Sequence, residues 1–241
     1  MIRRNYPKYL LRYLYGELRI GLLVNYFRAA GNRNAVFIWV PKAAGTSLFL
    51  ALSKSGCPKI KELEDVRRFF PGRGLVTFGH MDYFRLVHEG YLATKFTETA
   101  FKFGFTRNPF DRAVSLYFYL QSIGEVEQAL SFKKFLRMLK EHGFDPIGLY
   151  TNRNFSRCNP QVSWLQDSLG SQTMDFVGRY ENLDDDFNRV SEILGLPRKV
   201  LTQANKSSHS NFGQYYDQET KDLVLSIYKD DFQAFGYPET L

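Results

Sequence analysis

Residues 35–47 read AVFIWVPKAAGTS and contain a strand, a tight loop and the start of a helix. The run from Ala35 to Val40 is continuously apolar and rich in β-branched and aromatic residues, which is typical of a central parallel strand. Pro41 ends this strand, and Gly45-Thr46-Ser47 opens an apolar periodic segment that indicates a helix. Because a helix begins with unpaired backbone N–H groups, the segment predicts an anion site.

The side chains of this loop suit an anion as well. Lys42 adds a positive charge, Gly45 allows close approach of the backbone, and Thr46 and Ser47 add hydroxyl donors. The loop differs from the GxxxxGK[ST] pattern of ATP-binding proteins because its lysine precedes the glycine. A turn with a capping Thr or Ser is the alternative interpretation. The candidate binding residues are Lys42, Ala43, Ala44, Gly45, Thr46 and Ser47.

A second strand-to-helix turn follows the segment Ala100 to Thr106, which reads AFKFGFT and predicts a strand. Arg107-Asn108-Pro109 ends it, and Asp111 is expected to cap the next helix. Arg107 and Ser115 could hold one phosphate, since guanidinium offers a planar fork and serine a hydroxyl. The alternative is an ion pair between Asp111 and either Arg107 or Arg112.

The rest of the chain continues the alternation of strands and helices. Two further strands are predicted at Leu75 to Phe78 and at Phe176-Val177. Helices are predicted at 6–29, 61–70, 132–139, 183–194 and 217–233. This order predicts an α/β fold with a parallel sheet and helices on both faces, and a ligand site beyond the carboxyl ends of the strands.

Composition sets outer limits on the function. The chain has 241 residues, of which 44% are hydrophobic, so a wholly disordered protein is excluded. Its net charge of +7 suggests an anionic partner, although a basic surface can also serve solubility alone. Cys57 and Cys158 lie in no CxxC pair, which argues against a zinc ribbon. Two free thiols are expected, and one disulfide between them is the alternative.

Two features of the sequence bear on membrane association: the length of its apolar runs and the basic composition of its first residues. No apolar run reaches the ~18 residues that a transmembrane helix needs, and no signal peptide is recognised. The basic, aromatic start of the chain is interpreted as a packed helix, and peripheral membrane contact is the alternative. We expect a cytoplasmic, bacterial protein.

Together, the two turns resemble the cofactor-binding motifs of sulfotransferases that use 3′-phosphoadenosine 5′-phosphosulfate (PAPS). The loop 41–47 is similar to the family's 5′-phosphosulfate loop, and 107–115 is similar to its 3′-phosphate motif. Further segments resemble the branch related to Golgi carbohydrate sulfotransferases: NPQVSWL (159–165), DFVGRYENLDDDF (175–187), LGLP (194–197) and DFQAFGY (231–237). The resemblance runs from Val36 to Tyr237, and it is weak between the two motifs and over 121–158.

The resemblance implies one domain with a P-loop-like sheet. Within residues 1–241 it implies an N-terminal helical extension at 1–34. A cofactor-binding core would comprise 36–120 and 175–241. The segment 121–174 would form a helical region on the acceptor side.

The resemblance also implies a reaction: in-line transfer of a sulfuryl group from PAPS to a hydroxyl, on a carbohydrate, without a metal. Lys42 would neutralise the leaving group, while the loop amides with Thr46 and Ser47 would hold the 5′-phosphate. Arg107 and Ser115 would hold the 3′-phosphate. Tyr180 would contact adenine, with a buried core tyrosine as the alternative. Lys206 and Ser207 would close over the 3′-phosphate, with an exposed polar loop as the alternative.

A general base is also required, and His80 in TFGHMDYF is the candidate because relatives carry a catalytic histidine in a similar segment. Asp82 and Glu89 are alternative bases, and a purely structural role for His80 is also open. Arg153 and Arg157 could contact an acidic acceptor or could form a solvated basic loop.

Other functions remain open at this point. The acceptor could be a protein tyrosine or a lipid-linked group. A P-loop kinase would require magnesium-ATP and the GK[ST] loop, which this sequence lacks. A non-catalytic protein that binds nucleotides or polyanions would need no general base.

Overall fold

A computed structural model describes residues 33–61, 63–70, 72–143, 156–167, 169–198, 201 and 211–241. Its strands form one parallel sheet in the order β2-β1-β3-β4. They are β1 (Ala35–Ile38), β2 (Leu75–Thr77), β3 (Phe101–Thr106) and β4 (Phe176–Arg179). Phe37 of β1 pairs with Thr77 on one side and Phe103 on the other, so AVFI is an interior strand, as its apolar run predicted.

Ten helices are described. They are α1 (Gly45–Ser53), α2 (Leu63–Phe69), α3 (Tyr83–His88), α4 (Thr94–Thr99), α5 (Pro109–Ser122), α6 (Phe132–His142), α7 (Val162–Leu165), α8 (Leu183–Leu194), α9 (Gln218–Ile227) and α10 (Lys229–Phe235). Two 3₁₀ turns, Tyr180–Asn182 and Phe212–Tyr215, precede α8 and α9.

Helices cover both faces of the sheet. Successive side chains of a strand point to opposite faces. Phe37 belongs to a core cluster that includes residues of α1 and α8, whereas Ile38 belongs to a cluster that includes residues of α2, α3, α4 and α7. The predicted α/β fold is therefore confirmed.

A third core cluster lies among helices rather than on the sheet. Phe110 of α5, Phe135 of α6, Val224 of α9 and Phe232 of α10 are buried in it. The single helix predicted at 217–233 is wrong, because the chain leaves helical geometry at the buried Tyr228 and restarts as α10. The division into a cofactor core and an acceptor-side segment stays a prediction.

The start of α5 also differs from expectation. Asn108, not Asp111, caps the helix: its side-chain oxygen accepts from the N–H of Phe110 at 2.9 Å. Pro109 occupies the first helical position, where its missing N–H costs nothing. Asp111 lies within the first turn, so its carboxylate is available to a neighbouring cation.

Both cysteines are free and buried. Burial raises the pKa of Cys57 and raises that of Cys158 to about 12. Both thiols therefore stay protonated at neutral pH and are poor nucleophiles. Across the described part of the chain, no helix has the length and apolar character needed to cross a bilayer. The helix predicted at 6–29 lies outside the described residues.

Candidate active site

A cleft of about 520 Å³ opens at the carboxyl end of the sheet. The turns that follow β1, β3 and β4 all contribute to it, as expected for a parallel sheet. Most of the predicted site residues line this cleft: Lys42, Ala44, Gly45, Thr46, Ser47, His80, Arg107, Ser115 and Tyr180.

The loop after β1 has an unusual backbone. Lys42 and Ala44 adopt positive φ angles of 66° and 61°, which non-glycine residues rarely do. Ala44 is the N-cap of α1 and makes no side-chain capping bond, so the first turn of α1 opens into the cleft without a capping side chain. Ala43, in contrast, is buried in the core and is not among the residues that line the cleft.

Gly45 is required at its position by Trp39. A Cβ atom built on Gly45 would lie 1.8 Å from Nε1 of the Trp39 indole, so the ring or the loop would have to move. We expect Gly45→Ala to destabilise the fold by about 1–3 kcal/mol, the usual cost of overpacking. Urea denaturation measures this loss, with Gly213→Ala as the control because its Cβ would meet only the Asn211 side chain, at 3.1 Å. Equal stability of the two variants would contradict this account.

Lys42 reaches across the cleft to an aromatic ring. Its Nζ lies 4.3 Å from the centre of the Tyr119 ring, a cation–π contact. Burial, followed by the positive charges of Arg107 and Arg157, lowers the pKa of Lys42 to about 8. The ammonium group therefore stands close to two further cations, and an anion bound among the three would raise this pKa and keep Lys42 charged.

Arg107 is fixed at several points. Its guanidinium donates to both carboxylate oxygens of Asp111, at 2.7 and 2.8 Å, and stacks on Tyr180 at 4.2 Å. Gln161 accepts from the backbone N–H of Arg107 and donates to its carbonyl. The ion pair offered as the alternative is thus present, and Arg107 lines the cleft nonetheless. Tyr180 is only half-buried and belongs to no core cluster, so the core-tyrosine alternative is wrong.

Ser115 has a buried hydroxyl that faces the cleft residues without a hydrogen-bond partner of its own in the described part of the chain. The residue is 2% exposed, and its Oγ has no hydrogen-bond partner among the described residues. Buried hydroxyls in proteins are nearly always hydrogen-bonded, because an unpaired one costs about 1–3 kcal/mol. Since Ser115 lines the cleft beside Arg107, an oxygen of a bound anion would satisfy it.

His80 stands at the edge of the same cleft. Its Nδ1 lies 3.0 Å from the carbonyl oxygen of Trp39. A carbonyl can only accept, so Nδ1 carries the proton and Nε2 the lone pair. Burial lowers the pKa of His80 to about 4; the bond to Trp39 opposes this shift, whereas the charges of Lys59, Arg157 and Lys42 add to it. The imidazole is therefore neutral at physiological pH.

The two carboxylates considered as alternative bases lie elsewhere. Asp82 caps α3 by accepting from the N–H of Arg85 at 2.9 Å, and Glu89 pairs with the Arg85 side chain at 3.1 Å. Neither is among the residues that line the cleft. Of the candidates considered, His80 alone lies there.

The family model described as "Sulfotransferase family" matches residues 25–238. The chain belongs to the sulfotransferase family. Over 112 residues the chain is 30% identical to an uncharacterized protein of Archaeoglobus fulgidus, covering 46% of this chain and 80% of the relative. It also resembles the crystal structure of a sulfotransferase from Alicyclobacillus acidocaldarius, with 18% identity, coverage of 83% of this chain and 93% of that one, and a TM-score of 0.49.

Some residues that line the cleft were not predicted from the sequence, and one was given a different role. Tyr119 lies four residues after Ser115, on the same face of α5, and that spacing could have revealed it. Arg157 was considered as an acceptor contact or as part of a solvated basic loop, and its side chain is in fact only 13% exposed. The remaining lining residues not predicted are Trp39, Pro41, Glu181, Asn182, Leu183, Asp184, Asp185 and Leu201.

The remaining expectations concern the 3′-phosphate contacts and metal ligands. Lys206 and Ser207 lie outside the described residues, so their expected contact with the 3′-phosphate stays a prediction. Within the described ranges, no group of three or more His, Cys, Asp or Glu side chains is arranged to hold a metal ion.

Proposed function

We propose that the protein transfers the sulfuryl group of PAPS to a carbohydrate hydroxyl and releases 3′,5′-ADP. The observation that carries the proposal is that two anion-binding turns, 65 positions apart in sequence, meet in one cleft. Nη1 of Arg107 donates to the carbonyl of Lys42 at 3.4 Å. A cofactor with one phosphate on the 3′ carbon and another on the 5′ carbon of its ribose needs two such turns at once.

The residues present fit this donor. The first turn of α1, with Thr46 and Ser47, would bind the 5′-phosphate in the manner of a P-loop. Arg107 and the buried hydroxyl of Ser115 would bind the 3′-phosphate. Tyr180, stacked on Arg107, would face adenine. In this assignment the unpartnered Ser115 gains the hydrogen bond that it lacks.

The donor supplies a sulfuryl group whose sulfur bonds to the acceptor oxygen as its bond to the 5′-phosphate oxygen breaks, with that electron pair leaving on 3′,5′-ADP. Lys42 stabilises the charge that develops on the leaving oxygen. His80 takes the acceptor's proton on Nε2, since Nδ1 is held by the Trp39 carbonyl. The remaining contribution of the protein is to hold the two reactants in line.

Thermal unfolding with 3′,5′-ADP, 5′-AMP and magnesium-ATP tests donor recognition. At 100 times its dissociation constant a ligand adds roughly 2.7 kcal/mol, which for this chain length corresponds to a shift on the order of 5–10 °C. We expect that shift with 3′,5′-ADP and a much smaller one with 5′-AMP. A shift with magnesium-ATP alone would favour a kinase and overturn the proposal.

The acceptor class is tested by transfer of ³⁵S from labelled PAPS to parallel panels of saccharides, tyrosine peptides and lipid-linked sugars. We expect label on the saccharides. Label on tyrosine peptides or on lipid-linked acceptors alone would replace the carbohydrate assignment by one of its alternatives. Binding of 3′,5′-ADP without label transfer to any panel would favour a non-catalytic binding protein.

The pH dependence of kcat/KM follows from the two shifted groups. Activity needs neutral His80, which is lost as pH falls through about 4, and charged Lys42, which is lost as pH rises through about 8. We expect a bell-shaped profile with these limbs, rather than an acid limb near the ordinary histidine value of about 6.5. Lys42→Arg should remove the alkaline limb, because arginine stays charged. An alkaline limb unchanged in that variant would contradict the role of Lys42.

A further inference from the structure

The cleft contains one cation more than the donor phosphates and the leaving group require. The proposed function uses Lys42 and Arg107, whereas Arg157 lines the same cleft with no assigned role. We propose that Arg157 is a catalytic residue that binds the oxygens of the sulfuryl group as it is transferred. This inference rests on the proposed function and assigns one more residue to that site.

Arg157 and Lys42 lie on the same aromatic ring. Cζ of Arg157 is 5.3 Å from the centre of the Tyr119 ring, and Nζ of Lys42 is 4.3 Å from it. Nη1 of Arg157 lies 3.6 Å from the Glu125 carboxylate, and the side chain is only 13% exposed. The guanidinium is therefore held beside the lysine that serves the breaking bond.

A buried arginine fixes the backbone positions of these two cations relative to each other. Nε of Arg112 donates to the carbonyl of Pro41, the residue before Lys42, at 3.1 Å. Nη2 of the same side chain donates to the carbonyl of Arg157 at 2.9 Å. One rigid, planar group thus ties the loop after β1 to the segment that carries Arg157.

The electrostatic influence of Arg157 extends toward His80. After burial, the charges that lower the pKa of His80 belong to Lys59, Arg157 and Lys42. After burial, the charges that lower the pKa of Lys42 belong to Arg107 and Arg157. Arg157 therefore acts on both the proposed base and the proposed leaving-group residue. The sulfuryl group passes between these two residues during transfer.

The chemistry of the transferred group matches a guanidinium. In the transition state its negative charge is spread over three oxygens that neither attack nor leave. A planar guanidinium can donate to two such oxygens at once, in a site where partial burial strengthens the interaction. Arg157 keeps its proton throughout, so the bonds made and broken in the sulfuryl transfer are the same as those described above.

Two ligands that differ by the sulfuryl group alone test this role. Isothermal titration calorimetry at low temperature would measure the dissociation constants of PAPS and of 3′,5′-ADP, each for the wild type and the variants. Hydrogen bonds to charged groups contribute about 1.5–3 kcal/mol, or roughly 10- to 150-fold in affinity. We expect Arg157→Gln to weaken PAPS by that factor and to leave 3′,5′-ADP unchanged. Arg157→Lys should lose less, because it keeps the charge without the fork.

Matched variants separate the possible causes. Arg107→Gln should weaken both ligands, whereas Arg198→Gln, which alters only an exposed pair with Glu192, should weaken neither. Equal weakening of both ligands by Arg157→Gln would assign Arg157 to the nucleotide and overturn the inference. Unchanged affinity for both ligands would also overturn it, and would favour contact with an acidic acceptor.

The test also distinguishes this inference from the proposed function. Failure of the wild type to bind 3′,5′-ADP would overturn the proposed function and the inference together. Binding of both ligands by the wild type, with the PAPS preference intact in Arg157→Gln, would overturn the inference alone. If ligand-free unfolding shows that Arg157→Gln does not fold, Arg157→Lys decides, since loss of the fork should still weaken PAPS selectively.

Discussion

Replacing His80 with alanine is expected to lower turnover by about 10²- to 10⁴-fold, the usual contribution of a general base. The affinity for 3′,5′-ADP should stay unchanged, because the residues assigned to both phosphates lie on α1, on α5 and in the turn before α5. Turnover should fall because the bond from Nδ1 to the Trp39 carbonyl places the lone pair of the ring on Nε2, the atom assigned to take the acceptor's proton. Single-turnover transfer of ³⁵S and calorimetry with 3′,5′-ADP measure the two quantities.

His88→Ala is the matched control for this experiment. His88 lies at the end of α3, where it stacks on the exposed Phe84, and it is not among the cleft residues. Its loss should leave turnover as in the wild type. Full activity of His80→Ala, or a loss of 3′,5′-ADP binding that accounts for its whole defect, would refute the assignment of His80 as base.

Arg112→Met is expected to destabilise the protein by about 3–5 kcal/mol, the cost of removing one partner from a buried charged network. Arg112 is 1% exposed and donates to the carbonyls of Pro41, Arg157 and Asn159. Its charge also offsets the burial that raises the pKa of Asp231. Methionine fills similar volume but leaves those carbonyls without their donor.

The free energy of unfolding in urea measures this effect. Arg137→Met is the control, because Arg137 forms an exposed ion pair with Glu219 and its loss should change stability little. Arg112→Lys should fall between, since an ammonium group keeps the charge but not the planar fork. Similar stability of Arg112→Met and Arg137→Met would show that the carbonyls find other donors.

The sheet was predictable from sequence because its strands are continuous apolar runs. AVFIWV marks an interior strand, although Trp39 and Val40 leave the ladder as the chain turns into the loop. The helix at 183–194 has the predicted bounds, since its periodicity is regular and Gly195 caps it in the left-handed conformation. A continuous apolar run was therefore enough to predict that β1 is an interior strand, and a regular apolar period with a terminal glycine was enough to predict the bounds of α8.

Other elements carried too little local signal. The helices α3, α4 and α7 have six, six and four residues, which is too short for an apolar period to stand out. The break at Tyr228 is likewise invisible, because Val224 and Phe232 keep an apolar pattern across it. Packing of α9 and α10 against α5 and α6 decides where this break falls.

The site was predictable only where it follows a strand. The residues of 42–47 and 107–115 stand in motifs that can be recognised one at a time. Arg157 comes from a segment without periodicity, and contacts with residues distant in sequence, among them the bond from Arg112 to its carbonyl and the Tyr119 ring, bring it to Lys42. Contacts of this kind join residues that are far apart in the sequence, so the spacing of residues along the chain does not predict them.

The surroundings of His80 give the protein an optical reporter. The chain has two tryptophans, and the ring centres of Trp39 and Trp164 lie 5.1 and 6.3 Å from that of His80. An imidazolium accepts an electron from an excited indole, whereas neutral imidazole does so poorly. Intrinsic fluorescence should therefore dim as the imidazole gains its proton near pH 4. A bound polyanion, which favours the charged ring, would move that dimming toward neutral pH.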